Sequence, residues 1–484
     1  MSTKQIATST FWQIVSQALT AILSIVATKF VAIGLSKEFA GLYNSAYGYI
    51  QVFAILADFG LYAVAIREIS KVQGEEREKT LGVLLWLRIL TIGAAMIPAL
   101  FFVWIMPMWR GTLLPLSVTI ASLVPIFTLV AGVIRTVYQV HYRMEFVTIA
   151  EVAQRLLTTL GLGLFIIAGV RLSSDPVVLA WYLGIGGIGA FALLLISYIY
   201  AQRFERVRLH FDRALLKKFF LLAAPFAFAY LLMALYRQLD VVFIALLRPD
   251  FALQNAYYGF AGRVEDMAFL IPTFLLNSVL PILTERLHKK EDAAQLLQKT
   301  FFILLVSGTV FFLFSFFWAK PFTLLFATAH YLSAADHPGS DTAFMLMSIP
   351  MFLNGLVLFA FYVFLAQHFW KRLMVSFGIG AILVVILNVI LTGTYGFVGA
   401  ASALIAVHVV LTLVLVPAAL RSLHVRVSLM QILQWLVFSI ILGALLFFSA
   451  PHLTSALLTL AAGVVMLPVM AGLAYLLRMQ RLIR

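Results

Sequence analysis

Residues 373–392 read LMVSFGIGAILVVILNVILT, and residues 397–420 read FVGAASALIAVHVVLTLVLVPAAL. Neither run contains Asp, Glu, Lys or Arg. Twenty helical residues rise about 30 Å, the thickness of a bilayer's hydrocarbon core. An amphipathic helix of a soluble protein keeps a polar stripe, which these two runs lack. Working outward, comparable apolar runs fall at 9–34, 42–66, 81–106, 114–139, 147–170, 177–201, 219–246, 255–284, 300–326, 342–366, 429–449 and 455–477, which makes fourteen in all. Hydrophobic residues make up 63% of the 484 and charged residues 11%, against about 25% charged in a soluble domain. A soluble enzyme, a disordered chain and an outer-membrane barrel, which alternates apolar and polar positions, are excluded. The fold class is an all-α polytopic membrane protein of about fourteen transmembrane helices.

The net charge of +14 does not indicate nucleic acid, because the basic residues are scattered in short connections and form no soluble face. An even number of spans puts both termini on one side. The connections on that side hold 23 Lys and Arg, and those on the other side hold five (Lys37, Arg110, Arg171, Arg248 and Lys320). The positive-inside rule makes both termini cytoplasmic. The most basic connection, Ala201 to Lys218, interleaves Leu209, Phe211, Leu215 and Leu216 with cations. It reads either as an amphipathic helix on the inner leaflet or as a plain solvated loop.

An internal echo divides the chain. Asn44-Ser-Ala-Tyr47-Gly48-Tyr49 opens the second run, and Asn255-Ala-Tyr-Tyr258-Gly259-Phe260 opens the eighth, 211 residues later. The offset spans six helices, so the copies keep one orientation, as in transporters built from parallel halves. The expected organisation is a first lobe over 1–201, a cytoplasmic amphipathic linker over 202–218, a second lobe over 219–420, and two further helices over 421–484. Tyr47 and Tyr258 are then expected to face a shared cavity.

Charges inside the spans are the informative residues, since each is costly in hydrocarbon unless it meets a cavity or a partner. The basic members are Lys29, Arg88, Arg135, Arg155, Arg237 and Arg263; the acidic ones are Asp58, Glu151, Asp240, Glu265 and Asp266. Arg135 and Glu151 lie within a turn or two of the cytoplasmic edge, where snorkelling explains them, and Glu151 and Arg155 form an i,i+4 pair on one helix face. Arg237 with Asp240, and Arg263 with Glu265 and Asp266, sit at one depth on consecutive spans. They form either an ion-paired clamp or the lining of a cavity. Gln51 and Asp58 share a helix face, with Tyr47 and Tyr62 beside it. His408 stands alone in its run and reads as a hydrogen-bonded core histidine. Gly184-Ile-Gly186-Gly-Ile-Gly189 matches a dinucleotide fingerprint in letters but lies within a span, where small residues serve helix packing. Pro125, Pro225, Pro272 and Pro350 mark kinks. No P-loop, HExxH or GxSxG occurs and there is no Cys. The chain is therefore expected to be no enzyme and to carry no cofactor and no metal.

Lys29, Phe39-Ala40-Gly41-Leu42-Tyr43, Ala57-Asp58-Phe59-Gly60-Leu61 and Arg67-Glu68-Ile69-Ser70 resemble the opening of the polysaccharide-export flippases, with Ala40 splitting the usual Phe-Gly. Asp240-Val-Val-Phe-Ile244, Tyr258-Gly-Phe-Ala261 and Pro281 are similar to that family's seventh and eighth spans. Asn388 with Tyr395-Gly396-Phe-Val-Gly399-Ala400-Ala401 resembles a later stretch, with Thr392 or Gly393 where proline is common. Together the motifs cover most of the first 420 residues. The resemblance implies the Wzx-like branch of the multidrug/oligosaccharidyl-lipid/polysaccharide exporter superfamily, with two six-helix lobes around a central cavity and two C-terminal helices. It implies a flippase of the inner membrane that moves an undecaprenyl-diphosphate-linked oligosaccharide to the outer leaflet by alternating access. Membrane lipid, a coupling ion (H⁺ or Na⁺) and contacts with polysaccharide polymerase machinery belong to the same expectation. A lipid II flippase and an ion-coupled multidrug exporter are the alternatives. The residues expected at the diphosphate are Arg237, Arg263 and Lys29, with Asp240, Asp266, Asp58, Tyr47, Tyr258 and Arg88 around them.

Overall fold

In a computed structural model, residues 3–479 are described. Arg481 and Arg484, counted above among the cytoplasmic cations, and the side chains of Lys4 and Pro225 lie outside what is described. The chain forms two compact units, residues 1–253 and 254–484. Among the described residues the secondary structure is helical apart from one isolated bridge between Leu35 and Ser173.

The first unit contains α1 (Thr3–Gly34), α2 (Lys37–Asp58), α3 (Leu61–Ile69), α4 (Glu75–Ile105), α5 (Leu114–Ala121), α6 (Leu123–Val140), α7 (Met144–Ile167), α8 (Pro176–Ala201), α9 (Arg213–Gln238) and α10 (Asp240–Leu247). Local chemistry starts several of these helices. Ser36 caps α2, Asp175 followed by Pro176 opens α8, and Asp212 accepts from the backbone of Ala214 and Leu215 at the head of α9, each satisfying N–H groups that a first turn leaves unpaired. Three glutamates in the first turn of α4 complement its dipole. Gly186, Gly187 and Gly189 of α8 act as packing surfaces, while Gly184 faces open space. A Cβ at Gly186 would lie 2.4 Å from the Tyr47 hydroxyl, and one at Gly189 would lie 2.5 Å from Thr158 Oγ1. Two of the three fingerprint-like glycines, Gly186 and Gly189, thus lie in seams between helices.

The second unit contains α11 (Phe251–His288, its first turn shared with the first unit), α12 (Ala294–Phe317), α13 (Ala319–Phe326), α14 (Ser340–Ala366), α15 (Trp370–Tyr395), α16 (Phe397–Ser422), α17 (Leu429–Ser449) and α18 (Ala456–Leu476). Its centre is α14, buried almost throughout and packed between α12 and α16. By contrast α18 buries little more than Thr459, and it leaves Leu457 and Leu476 each 77% exposed. Such apolar exposure is untenable in water and expected against lipid.

Among the described residues, twelve helical segments are long and apolar enough to cross a membrane. The two expected spans missing from that number, 42–66 and 219–246, are each interrupted: α2 gives way to α3 at Phe59–Gly60, and α9 to α10 at Leu239. The basic connection is turn and extended chain over 202–212, with helix only from Arg213 and with Glu205 and Val207 buried. It is strapped to α4 by Arg77–Glu205 (2.8 Å) and Lys79–Asp212 (2.9 Å), and the Arg208 carbonyl lies over Gly82. Pro272 and Pro350 lie inside α11 and α14, while Pro125 lies in the first turn of α6.

Candidate functional site

The break in the second span is built around Asp58. Phe59 and Gly60 are both left-handed (φ 50° and 62°), a conformation that Gly adopts freely and Phe does not. The break leaves the last carbonyls of α2 without helical partners. Arg88 of α4 supplies the donors: its Nη1 donates to the carbonyls of Ala57 and Asp58, each at 3.0 Å, and Nη2 donates to the Asp58 carboxylate at 2.9 Å. The Arg88 side chain is 1% exposed and that of Asp58 45%. This cation therefore closes a helix C-terminus, where the dipole favours positive charge.

The other expected residues of the first unit lie as follows. Tyr47 is half-buried in α2, its ring 4.8 Å from Tyr43 and its hydroxyl over Gly186. Lys29 is half-buried in α1 and Arg237 half-buried in the last turn of α9. Asp240 is buried at the head of α10, where its carboxylate accepts from the Val241 amide at 3.0 Å. Beside it, Val241 fills the space over Gly48, whose Cβ would lie 2.4 Å from Val241 Cγ1. A larger residue than glycine in the Tyr47-Gly48-Tyr49 motif would push α10 off α2.

A polar cavity of about 290 Å³ opens among α1, α6, α7 and α8. Its walls include Gln17, Thr20, Arg135, Glu151, Gln154 and Arg155. Arg135 pairs with Glu151 across helices at 2.8 Å, and Ser16 Oγ donates to the other oxygen of Glu151 at 2.6 Å. Arg135 and Glu151, expected near the cytoplasmic edge, and Arg155 line a hollow with about the volume of ten liquid waters.

In the second unit Arg263 is half-buried on α11 and Asp266 exposed. Tyr258 is fully enclosed, its hydroxyl 3.2 Å from Met347 Sδ and its ring near Phe397, so within this unit it lines no open surface. The sequence reading passed over Asn354. Its amide donates to the Glu265 carboxylate, and its oxygen lies 2.9 Å from His408 Nε2. An isolated amide in an otherwise apolar run was the available signal. His408 is indeed hydrogen-bonded in the core. Among the described residues no group of three or more His, Asp or Glu is placed to hold a metal.

The structure is similar to that of lipid II flippase MurJ in an inward closed conformation (TM-score 0.69, 15% identity, 99% of this chain and 100% of that one). It is also similar to an inward-facing multidrug resistance MATE family transporter of the MOP superfamily (0.64, 13%, 84% and 94%), and to a MOP superfamily transporter from Pyrococcus furiosus (0.57, 15%, 87% and 97%). At such identities the likeness shows the fold. Among curated proteins none matches the chain by sequence. The sequence pattern of one family, described as polysaccharide biosynthesis protein, matches residues 6–287, more than half of the chain. A helical membrane chain with the MOP fold, with arginines and carboxylates set inside its spans, belongs to the polysaccharide biosynthesis protein family.

Proposed function

We propose that this chain is a flippase carrying a lipid-diphosphate-linked oligosaccharide from the cytoplasmic to the outer leaflet of the inner membrane, with both termini cytoplasmic. The observation that carries the reading is the set of arginines within apolar spans, with Arg88 and Arg135 paired to Asp58 and Glu151, in a polysaccharide-biosynthesis chain without a nucleotide motif. A diphosphate leaving the headgroup region needs cationic partners, and the arginine fork matches phosphate oxygens. Arg237 and Arg263, with Lys29 as the weaker contact, hold the diphosphate when cargo is bound. Asp240 and Asp266 hold those arginines when it is absent. Cargo and carboxylate thus compete for the same donors, and the cargo shifts the conformational balance by binding one state better than the other. The cavity lined by Arg135, Glu151 and Arg155 offers the same exchange chemistry at the size of a sugar ring or a diphosphate.

The test is complementation of a strain lacking its polysaccharide flippase, with a membrane-expression blot alongside. Arg263→Ala is expected to abolish surface glycan with protein still in the membrane. Arg263→Lys keeps the charge without the fork and retains part of the display. Full display by both Arg237→Ala and Arg263→Ala would make these charges structural clamps. A lipid II cargo is the second reading, tested in the same assay by rescue of a strain lacking its lipid II flippase.

A further inference from the structure

Glu265 of α11, Asn354 of α14 and His408 of α16 are 3%, 2% and 0% exposed and form one hydrogen-bonded chain through the core of the second unit. His408 Nδ1 lies 2.9 Å from the Leu404 carbonyl, which can only accept, so Nδ1 carries a hydrogen. An amide has one accepting and one donating end, which limits how the rest can pair. With Asn354 Oδ1 toward His408, the ring donates from both nitrogens and is an imidazolium beside an ionised Glu265. With the amide turned over, Nδ2 donates to a neutral ring and Oδ1 accepts from Glu265 as a carboxylic acid. Both arrangements hold two protons, one on Nδ1 and one either on Nε2 or on the Glu265 carboxyl. If the second proton leaves for water, an acceptor is left against an acceptor at Asn354, or the Nδ1 lone pair is left against the Leu404 carbonyl. At so buried a contact such a mismatch forfeits the bond.

We infer that Glu265, Asn354 and His408 form a proton-binding site in which one exchangeable proton closes the link between α11, α14 and α16 and its departure opens it. Two of the linked helices are built to bend there. Pro350 precedes Asn354 by one turn of α14, and Pro272 follows Glu265 by two turns of α11. The Pro272 ring lies against Gly355, whose Cβ would sit 3.3 Å from Pro272 Cγ. Proline removes a helical hydrogen bond and allows a kink, so the proton ties together two helices with intrinsic hinges. Charged and titratable groups on these and the adjoining helices include Tyr257, Tyr258, Arg263 and Asp266 on α11, Asp341 and Tyr362 on α14, Lys299 on α12, Lys371 and Arg372 on α15, and Arg421 on α16. Asp341 and Tyr362 lie 13 and 8 residues from Asn354 along α14, and Arg421 lies 13 residues from His408 along α16. The site does not depend on which cargo the protein carries.

The chain has no cysteine, so spin labels placed by Thr284→Cys on α11 and Arg421→Cys on α16 read the separation of these helices in the full-length protein. The expected result between pH 5 and pH 9 is a distance distribution that passes between two populations with a one-proton dependence. Glu265→Gln donates to Asn354 without a proton and is expected to hold the low-pH distribution throughout. His408→Gln also completes the chain without a titrating ring and is expected to be pH-independent, which keeps the test decisive where one variant fails to fold. A pH-independent distribution in the parent, or an unchanged titration in whichever variant folds, would overturn the proposal.

Discussion

Arg88 closes the carboxyl end of α2, donating at 3.0 Å to the carbonyls of Ala57 and Asp58 and at 2.9 Å to the Asp58 side chain. The backbone contacts matter more than the ion pair, because the carbonyls at a break within the membrane have no water to turn to, whereas the Asp58 carboxylate is half exposed. Arg88→Ala is therefore expected to destabilise by about 3–5 kcal/mol, the usual loss when one partner of a buried charged set is removed. Asp58→Asn keeps the two carbonyl bonds and should lose about 0.5–1.5 kcal/mol. Thermal unfolding in detergent compares them; equal losses would mean that the carboxylate, not the backbone, is what Arg88 holds.

The seam between α2 and α8 offers a rescue experiment. Gly186→Ala places a methyl 2.4 Å from the Tyr47 hydroxyl, an overlap expected to destabilise by about 1–3 kcal/mol. Adding Tyr47→Phe removes the offending oxygen, and the next atoms, at 3.3 and 3.7 Å, are tolerable. The double variant should unfold later on heating than Gly186→Ala alone, and a further loss would disprove the seam.

Asp212 makes stability fall in acid. The Lys79 ammonium, followed by the Leu215 N–H, holds its carboxyl below the ordinary value of 3.8. A depressed value in the folded state means that the contribution is complete above about pH 4 and fades as the pH drops through the folded value. Asp212→Asn can still cap α9 but cannot titrate. Unfolding midpoints measured from pH 6 to pH 3 should fall less steeply for this variant than for the parent, and parallel curves would remove Asp212 from the acid response.

The spans were legible because hydrocarbon imposes long uncharged runs such as 373–392, and the turn residues and caps follow local rules. The breaks were not. The run 42–66 is apolar enough to read as one helix, and its interruption depends on Arg88 reaching Ala57 from another helix 31 positions away. Glu265 was visible as a charge in a span, yet its partners Asn354 and His408 come from 89 and 143 positions away, and no spacing rule joins them. The cavity around Arg135 and Glu151 was hidden for the same reason: their pairing, not their depth, places them at a hollow.

Leaflet movement of a lipid-linked glycan can be read in vesicles. The full-length protein is reconstituted with a lipid-diphosphate-linked oligosaccharide, and the fraction open to a membrane-impermeant glycan-modifying reagent is followed in time. The parent protein should bring the lipid-linked glycan to the exposed leaflet well above protein-free vesicles, and the combined Arg237→Ala, Arg263→Ala variant should not. Movement no faster than in protein-free vesicles, in preparations that transport a cationic dye, would contradict the claim and mark the chain as a drug exporter of the same fold.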